Sequence, residues 1–375
     1  MSVNFALLSY RNSANLGDEI QSLAARQFLP RVDALVDRDF LSEWEAEPDQ
    51  HFGLILNGWF ADRPERWPPP PFVTPLVTSF HVARGESLGR TGLTGTDVIL
   101  DPNVASYLRE WGPVGARDLD TVDVLEQAGI PAYFSGCLTL TLRRDEDATH
   151  GDDVVIVDLP SSVVDRVRQS TDRDIVVTTH RDVRTEPAEA RFDKARDLLG
   201  RYQRARCVLA GRLHAALPCL AFETPVVLVE SDYEPGRYAG LRELVRNCPL
   251  ADLLSGHFEF NVDDPAPNDL DYMPLRRSLE SSVGDFVAKL QTDSASPRPP
   301  VIGLQDRLNT LWASLARAES DREALRGRIA ELEAEARAAA GPTPPEANPS
   351  ASAPPRLRAH ARRLLDRAGI RPRTR

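Results

Sequence analysis

Short apolar runs, each closed by a polar or glycine-bearing turn, recur along the first two-thirds of the chain, with longer segments of helical periodicity between them. "VNFALLSY" reads as a first strand, "RNSANLG" as a turn in which Gly17 is free to take unusual dihedrals, and "DEIQSLAARQFL" as a helix with acids in its first turn. "FGLILNGWF" and "TPLVTSFHV" read as buried strands on either side of the proline-rich loop "DRPERWPPPPF". In "GPVGARDLDTVDVLEQAGI" a helix starts from Asp120 or Thr121 and ends at Gly129, and "AYFSGCLTLTL" follows as a strand. The charged loop "RRDEDATHGDD" closes this series. A second series begins with the strands "VVIVDLP" and "DIVVTTH" and the helix "RFDKARDLLGRYQRA". It goes on with "RCVLAG" (strand), "RLHAALPCLAF" (helix) and "TPVVLVE" (strand). Strand–helix alternation of this kind implies parallel α/β structure, here as two α/β domains facing each other across a cleft, with ligand sites at the carboxyl ends of the strands.

The pattern divides the chain into an N-terminal α/β domain, residues 1–147, and a second, residues 148–291, then a linker over 292–300. From Val301 onwards, Leu304, Leu308, Leu311, Leu315, Ala318, Arg322, Leu325, Ile329, Leu332 and Ala336 recur at spacings of three and four, a coiled-coil seam over 301–340. That helix suits a homo-oligomer; packing on the second domain is its alternative. Residues 341–355, rich in Pro, Ser and Ala, read as a flexible linker, and 356–375 as a disordered basic tail.

The whole chain of 375 residues carries a net charge of -11, which argues against nucleic acid as the main partner. The tail has eight arginines and one aspartate, +7 from side chains, leaving -18 on the remainder; such a segment suits an anionic membrane surface or an acidic partner. The N-terminus has no basic stretch ahead of its short apolar run, and no run reaches the roughly 18 apolar residues of a membrane span. A cytoplasmic protein is therefore expected, with its tail able to bring it to the inner face of a membrane. The four cysteines have no metal or disulfide spacing, so buried, reduced thiols are expected.

The chemistry concentrates where polar groups interrupt apolar runs. In "LAGRLHAALPCLAF", Arg212 and His214 stand two apart, which inside a helix would turn them about 200° from each other. At a strand-to-helix junction they can instead flank an anion received by the unpaired amides of the first helical turn. The plainer alternative pairs Arg212 with a carboxylate and buries His214 in the core. "NLGDE" offers Asn15, Gly17 and Asp18 at a second helix start, and "GARD" offers Arg117 and Asp118 at a third. His81 ends an apolar strand, and Arg237 sits in "EPGRYAGL". No phosphate loop, metal cluster or nucleophile elbow is present, and the "DRD" at 37–39 and "DED" at 145–147 read as solvated surface. These residues outline a site for a small anion.

"GARDLDTVDVLEQAGIPAYFSGCLTLTL" and "RARCVLAGRLHAALPCLAFETPVVLV" resemble two signature segments of the polysaccharide pyruvyl transferase family, and "NLGDE", "LNGWF", "PLVTSFH" and "GRYAGL" follow its other landmarks in order. The likeness spans about residues 4 to 260. This chain has Ala210-Gly211 where the family usually places a residue such as Thr or Ser. The resemblance implies a GT-B-like pair of Rossmann-like domains and no metal or cofactor. Its implied reaction transfers a ketal-forming pyruvyl group from phosphoenolpyruvate, the co-substrate, to sugar hydroxyls in cell-surface or exopolysaccharide biosynthesis. The acceptor would be a sugar or lipid-linked glycan. On that footing Arg212, Arg117 and Arg237 are donor-binding, and His214, His81 and Asp18 are acid–base candidates. Asn15, Gly17, Asn57 and Trp59 belong to the acceptor side. A nucleotide-sugar glycosyltransferase and a non-catalytic scaffold of a glycan-assembly complex are the competing functions.

Overall fold

The computed structural model describes residues 3–292 except 12, 48, 61–65, 83–93, 183–186 and 231–234. Beyond these it describes 315, 322, 325–330 and 332, all helical. The 341–355 linker, the 356–375 tail and most of the 292–300 and 301–340 segments lie outside the described residues.

Two parallel sheets carry the fold. The first contains β1 (Asn4–Ser9), β2 (Ala34–Asp37), β3 (Phe52–Trp59), β4 (Val73–His81), β5 (Val114–Ala116) and β6 (Ala132–Phe134), in the order β2-β1-β3-β4-β5-β6. The second contains β7 (Val154–Val157), β8 (Ile175–Thr178), β9 (Cys207–Ala210), β10 (Val226–Glu230) and β11 (Asn247–Pro249), in the order β11-β10-β9-β7-β8. Helices α1 (Gly17–Arg26), α2 (Gly95–Leu100), α3 (Pro102–Glu110) and α4 (Leu119–Gln127) belong to the first series. Helices α5 (Ser161–Arg168), α6 (Ala188–Arg204), α7 (Leu213–Ala221), α8 (Leu250–Ser255) and α9 (Met273–Thr292) follow. β3, β7 and β9 are buried on both faces, which is why they read as continuous apolar runs rather than as alternation. The result is the GT-B-like pair of Rossmann-like lobes.

Strand order reverses between β1 and β3 in one sheet and between β7 and β9 in the other. At such switch points neighbouring loops diverge and leave a crevice at the strand carboxyl ends. Three local expectations change. Helix α4 is capped by Asp118, which accepts from the Thr121 amide at 2.9 Å, rather than by Asp120 or Thr121. The run after Tyr133 leaves the sheet at Gly136 (φ 72°), so "LTLT" is a buried 3-10 turn, Leu138–Thr141, not strand. At 37–39, Asp37 and Arg38 are buried, because Asp37 caps the following 3-10 turn and the Arg38 guanidinium lies over the rings of Tyr10 and Trp59. Residues 145–147 are exposed, as expected.

The lobes share one core. Leu16, Ile20, Leu23 and Ile55 of the first pack in the same cluster as Phe192, Leu199, Leu213 and Leu217 of the second. Across the seam, Glu19 on α1 accepts two hydrogen bonds from Arg191 on α6, at 2.7 and 3.0 Å, with both side chains almost wholly buried. Arg191 also lies 3.6 Å from Asp182, which Lys194 holds at 2.8 Å. Backbone bonds Leu16 N–H to His180 C=O (2.8 Å) and Asp182 N–H to Ala14 C=O (2.9 Å) tie the α1 entry loop to the end of β8. Helix α9 packs Leu279 and Val283 into the shared core. It sets Val287 and Leu290 against Val3 and Phe5, where Gly53 leaves room for Leu290.

Burial lifts the Glu19 carboxyl above its ordinary value against the pull of Arg191, so the pair is held at a desolvation cost. Removing one partner strands the other charge in the core. Arg191→Met alone is expected to lower unfolding free energy by about 3–5 kcal/mol, and Arg191→Met with Glu19→Leu by clearly less, in chemical denaturation followed by circular dichroism.

Candidate functional site

The second lobe builds its part of the site at the β7/β9 switch point. Asp158 follows β7 with φ 49°, and Arg212 follows β9 as the residue that opens α7. Between them, a side chain at Gly211 would meet the Asp158 carbonyl at 2.6 Å, so only glycine fits. That close approach is the physical content of the Ala210-Gly211 departure. The Asp158 carboxylate accepts from Arg212 Nε (3.0 Å), the His180 amide (3.0 Å) and Thr179 Oγ1 (2.5 Å). Burial pushes this carboxyl up, but Thr179, the His180 amide and Arg212 outweigh it and hold it below its usual value. Arg212 thus has the carboxylate partner of the plainer reading, yet only through Nε. Its side chain is 27% exposed. Every residue of α7 is buried, His214 included.

The first lobe meets this from the other side. Asn15 Oδ1 accepts from the Gly17 amide at 3.2 Å, closing an Asx turn at the start of α1. Gly17 faces the second lobe: a Cβ there would stand 3.0 Å from His214 Nδ1. Arg117, buried, lies 3.6 Å from Asp118, and Asp118 takes His81 Nδ1 at 2.6 Å and Thr121 Oγ1 at 2.8 Å. Burial raises the Asp118 carboxyl, and His81, Arg117 and Thr121 together bring it below its ordinary value. Asn15, Arg117, His180, Arg212, Leu213, His214 and Tyr238 line one small, partly open cavity. The cavity thus gathers two guanidinium groups from opposite lobes, two imidazoles and the opening of a buried helix.

The remaining candidates divide. His81 stands behind Arg117, joined to it through Asp118. Asp18, Asn57 and Trp59 are not among the cavity-lining residues. Asp18 accepts from Ser13 Oγ and, at 3.4 Å, from Gln21 Nε2. Asn57 donates to the Gln21 carbonyl at 2.8 Å, and Trp59 lies under Arg38, so these form a second polar group around Tyr10 and Arg38 at the β1/β3 switch point. The Arg237 side chain lies outside the described residues, while its neighbour Tyr238 lines the cavity.

Two residues of the site escaped the sequence reading, Asp158 and His180. His180 ends an apolar strand run just as His81 does, and that parallel was the available signal. Its ring is buried; Nε2 lies 2.8 Å from the Tyr202 hydroxyl. Burial drives the imidazole down to about 4, with Arg212 acting in the same direction and Asp158 against it. Among the described residues, no group of three or more His, Cys, Asp or Glu is placed to hold a metal ion, and no helix is long and apolar enough to cross a membrane. All four cysteines are free and buried, with burial pushing the Cys207 thiol up to about 12.

The family model described as polysaccharide pyruvyl transferase matches residues 15–233, which include every residue lining the cavity except Tyr238. No curated protein matches the chain in sequence. Among solved structures, a UDP-GlcNAc 2-epimerase from Methanocaldococcus jannaschii is similar over 84% of this chain and 99% of its own, at 10% identity and a TM-score of 0.34. TarM is similar over 80% of this chain and 58% of its own, at 8% identity and a TM-score of 0.30.

A histidine held neutral in the fold makes stability depend on acid. Below about pH 6.5 the unfolded chain binds a proton at position 180, while the folded chain does so only near 4, so stability falls as pH drops through that window. The Asp158 contribution is lost only lower, below the ordinary carboxylate value. Between pH 7 and pH 5, His180→Asn is expected to lose about 2 kcal/mol less stability than the wild type in denaturant titrations.

Proposed function

Because the chain belongs to the polysaccharide pyruvyl transferase family, we propose that it transfers the pyruvyl unit of phosphoenolpyruvate onto two hydroxyls of a sugar, releasing phosphate and leaving a cyclic ketal. The observation that carries this reading is the convergence of Arg117 and Arg212, from opposite lobes, with His214 on one cavity. Phosphoenolpyruvate bears a phosphate and a carboxylate on the same carbon, and a pocket with two guanidinium groups and a helix start would meet both anions at once.

In this mechanism Arg212 offers its terminal nitrogens to the donor while Asp158 fixes the guanidinium by Nε. Arg117 supplies the second cation. A proton delivered to the methylene carbon makes an oxocarbenium-like centre at C2, and in this reading His214, which lines the cavity, serves that step or binds the anion. A first sugar hydroxyl adds to C2, the C2–O bond to phosphate breaks, and a second hydroxyl closes the ketal. Of the two hydroxyl protons, one balances that gained by the methyl group and the other leaves with phosphate. His81, fixed through Nδ1 by Asp118, is the second acid–base group. Phosphate departure is stabilised by the fixed donors already in place. Asn15 and Gly17 border the cavity on the acceptor side. Asp18, which follows Gly17 on α1, and Asn57 and Trp59 at the end of β3 are the further acceptor-side residues of this reading. The product belongs to cell-surface or exopolysaccharide assembly.

The 301–340 segment fits a self-associating helix: Leu315, Leu325, Ile329 and Leu332 are all exposed in the single chain. Outside the family-matched region, it would set oligomer size rather than chemistry. The basic tail would add contact with an anionic membrane surface.

Two measurements test these readings. Incubation with isotopically labelled phosphoenolpyruvate and a panel of sugars and lipid-linked glycans should give equimolar phosphate and ketal, with Arg212→Ala lowering kcat/KM by about 100-fold or more. Absence of both products across the panel, or full activity in the variant, overturns the assignment; turnover of a nucleotide sugar instead would make it a glycosyltransferase. Sedimentation of the full chain should give a multiple of the monomer mass, reverting to monomer when the chain stops at residue 300; equal masses would remove the helix as the oligomerisation element.

A further inference from the structure

His180 is built into the anion cavity from every side. Its amide is held by Asp158, the carboxylate that also holds Arg212, and its carbonyl receives the Leu16 amide from the α1 entry loop of the other lobe. His180 is among the residues that line the same cavity as Arg117, Arg212 and His214. Ring atom Nε2 is engaged by the Tyr202 hydroxyl at 2.8 Å, deep in the shared core. The other ring nitrogen, Nδ1, is buried and has no hydrogen-bond partner among the described residues. A buried polar atom left unpaired costs about 1–3 kcal/mol, so its place in a ligand cavity calls for a ligand group.

Which group follows from the protons. A neutral imidazole carries one N–H, and the Tyr202 hydroxyl decides where it sits. Tyr202 is itself kept protonated, because burial raises its phenol well above the ordinary value. If Tyr202 donates, Nε2 accepts and the hydrogen moves to Nδ1; if Tyr202 accepts, Nδ1 offers a lone pair. A lone pair turned toward a bound anion would be repelled, whereas an N–H is attracted, so anion binding selects the first arrangement. We propose that His180 is a donor-binding residue whose Nδ1–H, set by the Tyr202 hydroxyl on Nε2, hydrogen-bonds the phosphate or carboxylate of the anion held between Arg117 and Arg212. The site then recognises its anion by a neutral donor as well as by two cations. A neutral donor adds direction without adding a third buried charge.

This inference rests on the donor reading above, and calorimetry separates the two. Wild-type protein is titrated with phosphoenolpyruvate, inorganic phosphate and pyruvate. No binding of phosphoenolpyruvate by the wild type would overturn the donor reading itself. With binding established, His180→Ala should weaken it about 10–100-fold, while His180→Asn, whose amide can stand in for Nδ1–H, should stay within about threefold. Loss in the inorganic phosphate titration assigns the contact to phosphate, and loss confined to the carboxylate-bearing ligands assigns it to carboxylate. Equal affinity of the wild type and His180→Ala for all three overturns the inference. Should His180→Ala not fold, Tyr202→Phe provides the second reading. In nitrogen-15 spectra, the His180 proton should sit on Nδ1 in the liganded wild type and shift toward Nε2 in Tyr202→Phe, with weaker phosphoenolpyruvate binding. A proton on Nε2 in the liganded wild type would also overturn it.

Discussion

The Asp158 carboxylate ties together parts of the molecule that have no other reason to agree. It sits at the strand-order reversal of the second sheet, in a backbone conformation that non-glycine residues seldom adopt, against a glycine that nothing larger could replace. From there it takes a guanidinium from the start of α7, an amide from the end of β8 and a hydroxyl from Thr179. Three donors on one carboxylate offset its desolvation and keep it charged. The direction of the Arg212 fork and the position of His180 are both set by this one group.

The first lobe reaches the site through the same few atoms. The His180 carbonyl receives the Leu16 amide, so the loop that starts α1 is registered against the end of β8. Gly17 then lies against His214, and two residues further Glu19 is locked by Arg191. The cavity-lining residues of the two lobes are therefore not on two separate bodies. They are joined by backbone hydrogen bonds and a buried ion pair before any substrate arrives.

The sequence reading recovers the class of fold because both-sided burial leaves unbroken apolar runs, as in "FGLILNGWF" and "TPVVLVE", and helices between them keep their own period. Arg212, His214 and Arg117, which the structure brings to one cavity, stand out in the sequence because each breaks an apolar or glycine-rich context at a strand end. Asp158 was hidden in "VVIVDLP", where an aspartate before proline looks like any turn, and its role depends on Arg212, distant in sequence. His180 was hidden for a similar reason: its significance lies in Tyr202 and in the α1 loop, neither of which is local. The misreading of "DRD" has one cause, that Arg38 is covered by Tyr10 and Trp59, aromatic rings from other strands. The early end of β6 came from Gly136, one residue whose dihedrals no pattern of hydrophobicity encodes.

Helix α9 closes the chain of consequences. It packs in the joint core and grips β1 through Val3 and Phe5, so each lobe is fastened to the other at its base as well as along α1 and α6. Clamshell motion, with each half swinging as a rigid shell, would have to expose that apolar interior to water at about 25 cal/mol for every square ångström. The cheaper gate is a small one, made of side chains and short loops at the mouth of the pocket.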